Sequence, residues 1–153
     1  MKRIEVKLAL PIVAPLLDVI REISGGLQQR LAAPLAMADL DGEFRDEWSA
    51  ELLAHQSSDL DVLLALFNDE FFQEGVIGLD ESNAESVIRA CAAVRLRLRE
   101  QFLKSLGDDV LESSDVDITE IEEPIRRAFM CYLFLATLQE LIIQHLDSTI
   151  IES

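Results

Sequence analysis

Residues 82–106 read SNAESVIRACAAVRLRLREQFLKSL, and the fold class follows from this stretch. Val87, Ile88, Cys91, Val94, Leu98, Phe102 and Leu106 recur at the three- and four-residue spacing of a single helix face. Ser82-x-x-Glu85 ahead of them has the form of a capping box, and Gly107 is a fitting stop behind. A long amphipathic helix is therefore expected up to about Leu106. Arg89 and Arg97 project away from its apolar stripe, but Arg95 falls inside it. An unpaired guanidinium there would be very costly to bury, so Arg95 demands a partner.

That partner is sought on the last helix. From Phe129 to Ile143 the chain is apolar on every side, which marks a central helix or one shared with a second chain. Glu140 lies within it. In an antiparallel pair both side chains lean toward their own N-termini and so toward each other. The expectation is an Arg95–Glu140 ion pair, in the core or at an interface. Its first reading is a device that fixes register or packing, and its second is a ligand or partner site.

Working outward, Ile4, Val6 and Leu8 alternate with charged residues, the period of a short half-buried strand. Pro11 suits a first helical turn, and Ile12, Val13, Leu16, Leu17, Ile20 and Ile23 follow at helical spacing. Ser24-Gly25-Gly26 ends or loosens this helix, with Leu27, Leu31 and Leu35 continuing its register. Asp39 to Gly42 reads as a turn. A helix from about Glu43 to His55 presents Phe44, Trp48, Leu52 and Leu53 on one face. Ser58-x-x-Asp61 then opens another, through Leu60, Leu63, Leu64, Phe67 and Phe71, stopping near Gly75. Val76 to Leu79 is extended and is expected to pair with Arg3–Leu8. Asp108 to Asp117 is an acidic loop, and Pro124 stands near the start of the final helix, which runs to about Leu146. The fold expected is all-α: one domain over residues 1–153, a bundle of about five helices with a minor two-stranded β ribbon and an acidic loop at 109–117.

Composition narrows the function classes. Half of the 153 residues are hydrophobic, enough for a sizeable core, and only six glycines and four prolines interrupt regular structure. Acidic residues outnumber basic ones 29 to 13, for a net charge of −16. Such a chain repels nucleic-acid backbones and anionic membranes. Arg95, Arg97, Arg99, Lys104, Arg126 and Arg127 are its only basic concentration. Without interleaved aromatics they suit an acidic partner or helix salt bridges better than nucleic acid. Two cysteines, Cys91 and Cys131, are neither a disulfide framework nor a metal motif, and a reducing cytoplasm is the expected location. The run Leu8–Leu17 behind Lys2-Arg3 is preceded by Glu5 and Lys7 and separated from Ala36-Met37-Ala38 by Asp18, Arg21 and Glu22, unlike a signal peptide. Phe129–Ile143 is shorter than the roughly 20 residues of a bilayer span and carries Gln139 and Glu140. No membrane segment is expected.

Candidate chemistry is sparse. Asp39-x-Asp41-Gly42 has the start of a calcium loop, but the twelfth position, where that loop needs glutamate, is Ala50. His55 and His145 follow Leu52 and Ile142 at the spacing where a di-iron motif needs glutamate. Glu43, Glu47 and Glu51, with Asp46, form a carboxylate row that reads as a solvated helix face. No nucleophile elbow, P-loop or dinucleotide fingerprint is present. No cofactor or metal is expected.

Three segments carry a family likeness: Glu43-Phe44-Arg45, Val94-Arg95-Leu96-Arg97-Leu98, and Tyr132-Leu133-Phe134-Leu135 leading into Leu138-Gln139-Glu140-Leu141. In these the chain resembles the bacterial family called domain of unknown function two-zero-one-seven over nearly its whole length. It departs from that pattern at Ala92-Ala93, where the family carries asparagine-aspartate. The resemblance implies an all-helical cytoplasmic protein of unknown activity. It also implies a genomic association, since members are often encoded beside the adaptor of the Clp protease.

The function expected is a non-catalytic regulatory or adaptor role exercised through protein–protein contacts. Its partner is sought in the Clp proteolysis system, and a homodimer through the C-terminal helix is a further expectation. Two alternatives stand beside it. One is an enzyme with an arginine–carboxylate site assembled between helices from Arg95 and Glu140. The other is an acidic mimic that covers a basic protein surface.

Overall fold

In the computed structural model, the residues described are 3–29, 31–32, 42–104, 106 and 121–150, with backbone alone at 42–45 and 147–150. The elements run β1 (Arg3–Lys7), α1 (Leu10–Leu27), α2 (Gly42–Ala65), α3 (Asp69–Glu74), β2 (Val76–Asp80), α4 (Ala84–Gln101) and α5 (Ile125–Ile150). The protein is thus mostly helical with a minor ribbon, as its periodicities predict. The turn at Asp39–Asp41, Leu35 and the acidic loop at 109–117 lie outside the described residues.

α4 occupies the centre, packed between α2 and α5, with α1 against both α4 and α5. Its stripe is buried through Ala84, Val87, Ala90, Cys91, Val94 and Leu98. Ile88, Phe102 and Leu106, expected in the same stripe, are only half-buried. α5 supplies Phe129, Cys131, Leu135, Leu138, Ile142 and Leu146, while α1 adds Leu17, Ile20 and Leu27. By length and composition Ile125–Leu146 would suffice to cross a membrane. In this fold that helix lays one face into the common core.

The ribbon forms where alternation places it. β1 and β2 pair antiparallel, Arg3 opposite Asp80, Val6 opposite Ile77 and Lys7 opposite Val76. Ile77 and Leu79 point into the core, with Ile4 and Val6 packed beside them. Gly75 makes the junction. Its amide donates to Phe71 O at 2.7 Å, which closes α3, and its own carbonyl accepts from Leu8 N at 2.7 Å, which fastens β1. Its φ is +71°.

Four helix boundaries differ from expectation. Ser58-x-x-Asp61 does not open a helix, since α2 runs unbroken from Gly42 to Ala65. No glycine or proline interrupts this run, and a capping pattern inside a continuous helix merely faces outward. The break falls later, at Leu66–Asn68, where Leu66 and Phe67 make short-range bonds to Leu63 O and Leu64 O. The Asn68 side chain there accepts from Phe71 N and starts α3. At α4 the capping box gives way to a turn built on Asp80. Its Oδ1 accepts from Ser82 N, Ser82 Oγ and Asn83 N. Asn83 Oδ1 accepts from Asp80 N at 2.9 Å. At its other end α4 stops at Gln101, because Leu103 turns fully into the core. Finally, Gly25 and Gly26 do not end α1, which continues to Leu27.

Gly75→Ala should lower stability by more than about 1 kcal/mol, as read by urea unfolding. The φ is costly for any L side chain, and the new Cβ would stand 2.9 Å from Leu8 O. The Ser82 hydroxyl and the adjoining amides hold the Asp80 carboxyl below its usual range of 3.8, against a smaller effect of burial. A lowered folded-state value stabilises above the unfolded value and is lost as pH falls through the folded one. Asp80→Asn should therefore flatten the acid limb of the stability profile below about pH 4.

Candidate functional site

Arg95 is partnered from α5, but not by the residue expected. Its Nη1 donates to Gln139 Oε1 at 2.6 Å, and the Gln139 amide donates in turn to Ile88 O at 2.9 Å. The guanidinium also lies over the Tyr132 ring, 4.4 Å from its centroid. Glu140 is exposed and accepts from Gln144 on its own helix. The Arg95–Glu140 pair is thus not formed. The correction is one residue, about 100° of helix rotation, which turns Gln139 toward α4 and Glu140 toward solvent. A neutral amide is the more economical occupant, because it bonds the guanidinium without burying a second charge. Arg95 Nε is buried without a hydrogen-bond partner among the described residues.

The second polar connection was not anticipated. Asp59 on α2, buried, accepts from Arg89 Nε and Nη2 at 2.9 and 3.0 Å. Arg89 also reaches Glu85, one turn earlier on α4, at 2.9 Å. Its hydrogen bond to Asp59, ahead of the opposing effect of burial, holds this guanidinium above its ordinary range. Periodicity does put Arg89 outside the apolar stripe. It contains no signal that α2 would bring a carboxylate to that side.

Beside this pair lies a hollow of about 480 Å³. Leu31, Ala32, Leu52, Ala90 and Ala93 make its surface largely apolar, with His55 and Gln56 at its edge. Gln56 ties the wall together, donating to Leu27 O at 2.7 Å and accepting from Ala32 N at 3.0 Å. The carboxylates Asp46, Glu47 and Glu51 stand exposed further along α2.

Neither cysteine is placed for chemistry. Burial raises the Cys91 thiol to about 12, against the pull of Arg95 nearby, and burial likewise raises Cys131 to about 12. Among the described residues no three of His, Cys, Asp and Glu gather as metal ligands. The calcium-like Asp39 and Asp41, and the side chain of Glu43, lie outside those residues. Two of the basic residues are paired with carboxylates on the same stretch of chain: Arg126 bonds Glu123 at 3.1 Å, and Lys104 pairs with Glu100 at 3.5 Å.

The model of the family described as Domain of unknown function (DUF2017) matches residues 27–146. That range takes in α2 through most of α5, and with them both arginine connections and the hollow. No curated protein and no solved structure matches the chain.

Two measurements check this geometry. Gln139→Ala, which strands the Arg95 donor and frees Ile88 O, should cost about 1–3 kcal/mol. Glu140→Ala should stay within about 0.5 kcal/mol, and a larger loss would mean that Glu140 is the true partner. With burial raising both thiols, almost no thiolate is present at pH 8. A thiol-reactive disulfide reagent should therefore label neither cysteine until the protein is unfolded in urea.

Proposed function

Since the chain belongs to the DUF2017 family, whose description names no activity, we propose its function from its surfaces: a non-catalytic regulatory or adaptor protein that works through protein–protein contacts. The observation that carries this reading is the α2–α4 hollow. Its lining is apolar, and the charged pair at its edge is already bonded within the chain. Apolar surface of that kind is released from water by a partner's side chains. The bidentate Asp59–Arg89 clamp holds the two walls at a fixed separation, so that little ordering is left to do on binding.

The polar groups of the interior support the same reading. Arg95, Gln139 and Tyr132 are engaged with one another and with the α4 backbone rather than with an acid or base. An enzymatic site built on Arg95 and Glu140 would need those side chains to converge, and they diverge. The exposed carboxylates Asp46, Glu47 and Glu51 on α2 favour a partner with basic residues flanking an apolar anchor. An acidic mimic would use the same row without the hollow. A component of the cytoplasmic Clp proteolysis machinery is the first partner to examine. A second copy of this chain, meeting it through the half-exposed Ile143 side of α5, is the next.

Tagged protein purified from its own cells should bring down one partner in near-stoichiometric amount, identified by mass spectrometry. Ala93→Glu, which plants a charge in the hollow, should abolish that capture while thermal unfolding shows the fold intact. If the partner stays bound to this variant, the hollow is not the contact. Should nothing co-purify, the adaptor reading fails. Capture that weakens with salt and with neutralised Glu47 and Glu51, but not with Ala93→Glu, would identify the acidic mimic instead.

A further inference from the structure

A smaller cavity of about 280 Å³ lies on another side of the molecule, between the second half of α1, the residue that ends α4, and the start of α5. Its floor is apolar: Val19 and Ile23 from α1, Phe102, and Ala128 from α5. Two opposite charges stand at its edge, Glu22 on α1 and Arg127 on α5. Among the described residues neither is hydrogen-bonded or ion-paired, with the other or with any third group. The remaining carboxylate there, Glu123, is already taken by Arg126 at 3.1 Å. Arg89 and Arg95, by contrast, each have a bonded partner within the chain, whereas Glu22 and Arg127, both exposed, have none among the described residues.

We propose that this cavity binds a free apolar α-amino acid of about the size of leucine. Such a molecule carries three features, each answered here by a different group. Its carboxylate matches the Arg127 guanidinium, whose planar fork suits two parallel hydrogen bonds. Its ammonium group matches the Glu22 carboxylate. Its side chain displaces water from Val19, Ile23, Phe102 and Ala128. The size agrees: the cavity falls just below the range of about 300–1,000 Å³ typical of drug-sized ligands, too small for a nucleotide but sufficient for one amino acid. The charges agree as well, since a zwitterion neutralises both edges at once and a simple fatty or aromatic acid only one. Occupancy would tie α1 to the start of α5 across the cavity.

This site is separate from the α2–α4 hollow and stands whether or not that surface meets a partner. Isothermal titration calorimetry on the full chain tests it, with L-leucine, L-leucinamide and N-acetyl-L-leucine as probes. Leucine should bind, and removing either charge, as the amide or the acetyl derivative does, should weaken binding roughly tenfold or more. Arg127→Gln should bring leucine down to the level of leucinamide. Glu22→Gln should bring it to the level of N-acetyl-leucine. Val19→Phe, which fills the floor, should remove binding altogether, with thermal unfolding reporting that each variant is folded. The proposal is overturned if neither leucine, isoleucine, valine, methionine nor phenylalanine gives heat. It is equally overturned if leucinamide binds as tightly as leucine, or if Arg127→Gln leaves the affinity unchanged.

Discussion

The fold turns on one constraint, which is that α4 carries its arginines next to its apolar stripe. A helix with Val87, Cys91, Val94 and Leu98 on its buried face can be covered by almost any apolar neighbour. Arg89 and Arg95 cannot, because each leaves the stripe's edge with a charge that water only partly reaches. α2 meets the first with Asp59 and α5 meets the second with Gln139 and Tyr132. Hydrophobic burial brings the three helices together. The guanidiniums decide in which rotation and at which height they stop.

The two arginines solve the problem differently. Arg89, half in water, takes a full carboxylate and a second one from Glu85. A charged partner costs little there, because solvent still reaches the guanidinium. Arg95, deeper, takes an amide oxygen and an aromatic face, which engage it without adding another buried ion. In a chain with a net charge of −16, carboxylates are plentiful, so the choice of Gln139 follows from burial and not from supply.

Much of this could be read from the sequence, and the failures have physical reasons. The strand ribbon, the long amphipathic α4 and the stop at Gly75 were legible because each rests on a period or a backbone conformation that few residues satisfy. The need of Arg95 for a partner on α5 was legible too, since the cost of burial does not depend on who meets it. Which partner was not. Neighbouring positions on a helix differ by 100°, and a pattern of apolar residues all round α5 gives no zero for that angle. Capping signals misled at Ser58 and Ser82 for a related reason. The same residues serve as caps, turn formers and outward-facing helix positions, and only the surrounding fold selects among them. The α1–α5 cavity and the α2–α4 hollow arise between helices distant in sequence, so no local pattern marks them.

The family match begins at Leu27, whereas β1 and nearly all of α1 precede it. Those earlier elements are not an appendage. Leu17 and Ile20 belong to the common core, and β1 is the strand to which β2 bonds. A fragment cut to the matched residues would therefore present two raw surfaces together: an apolar trough where α1 had lain, and a bare strand edge at Val76–Asp80. Exposed apolar surface beside an open strand edge is a template for self-association. The portion that the family model recognises and the portion that closes one core have different boundaries, and the difference is about the length of one strand and one helix.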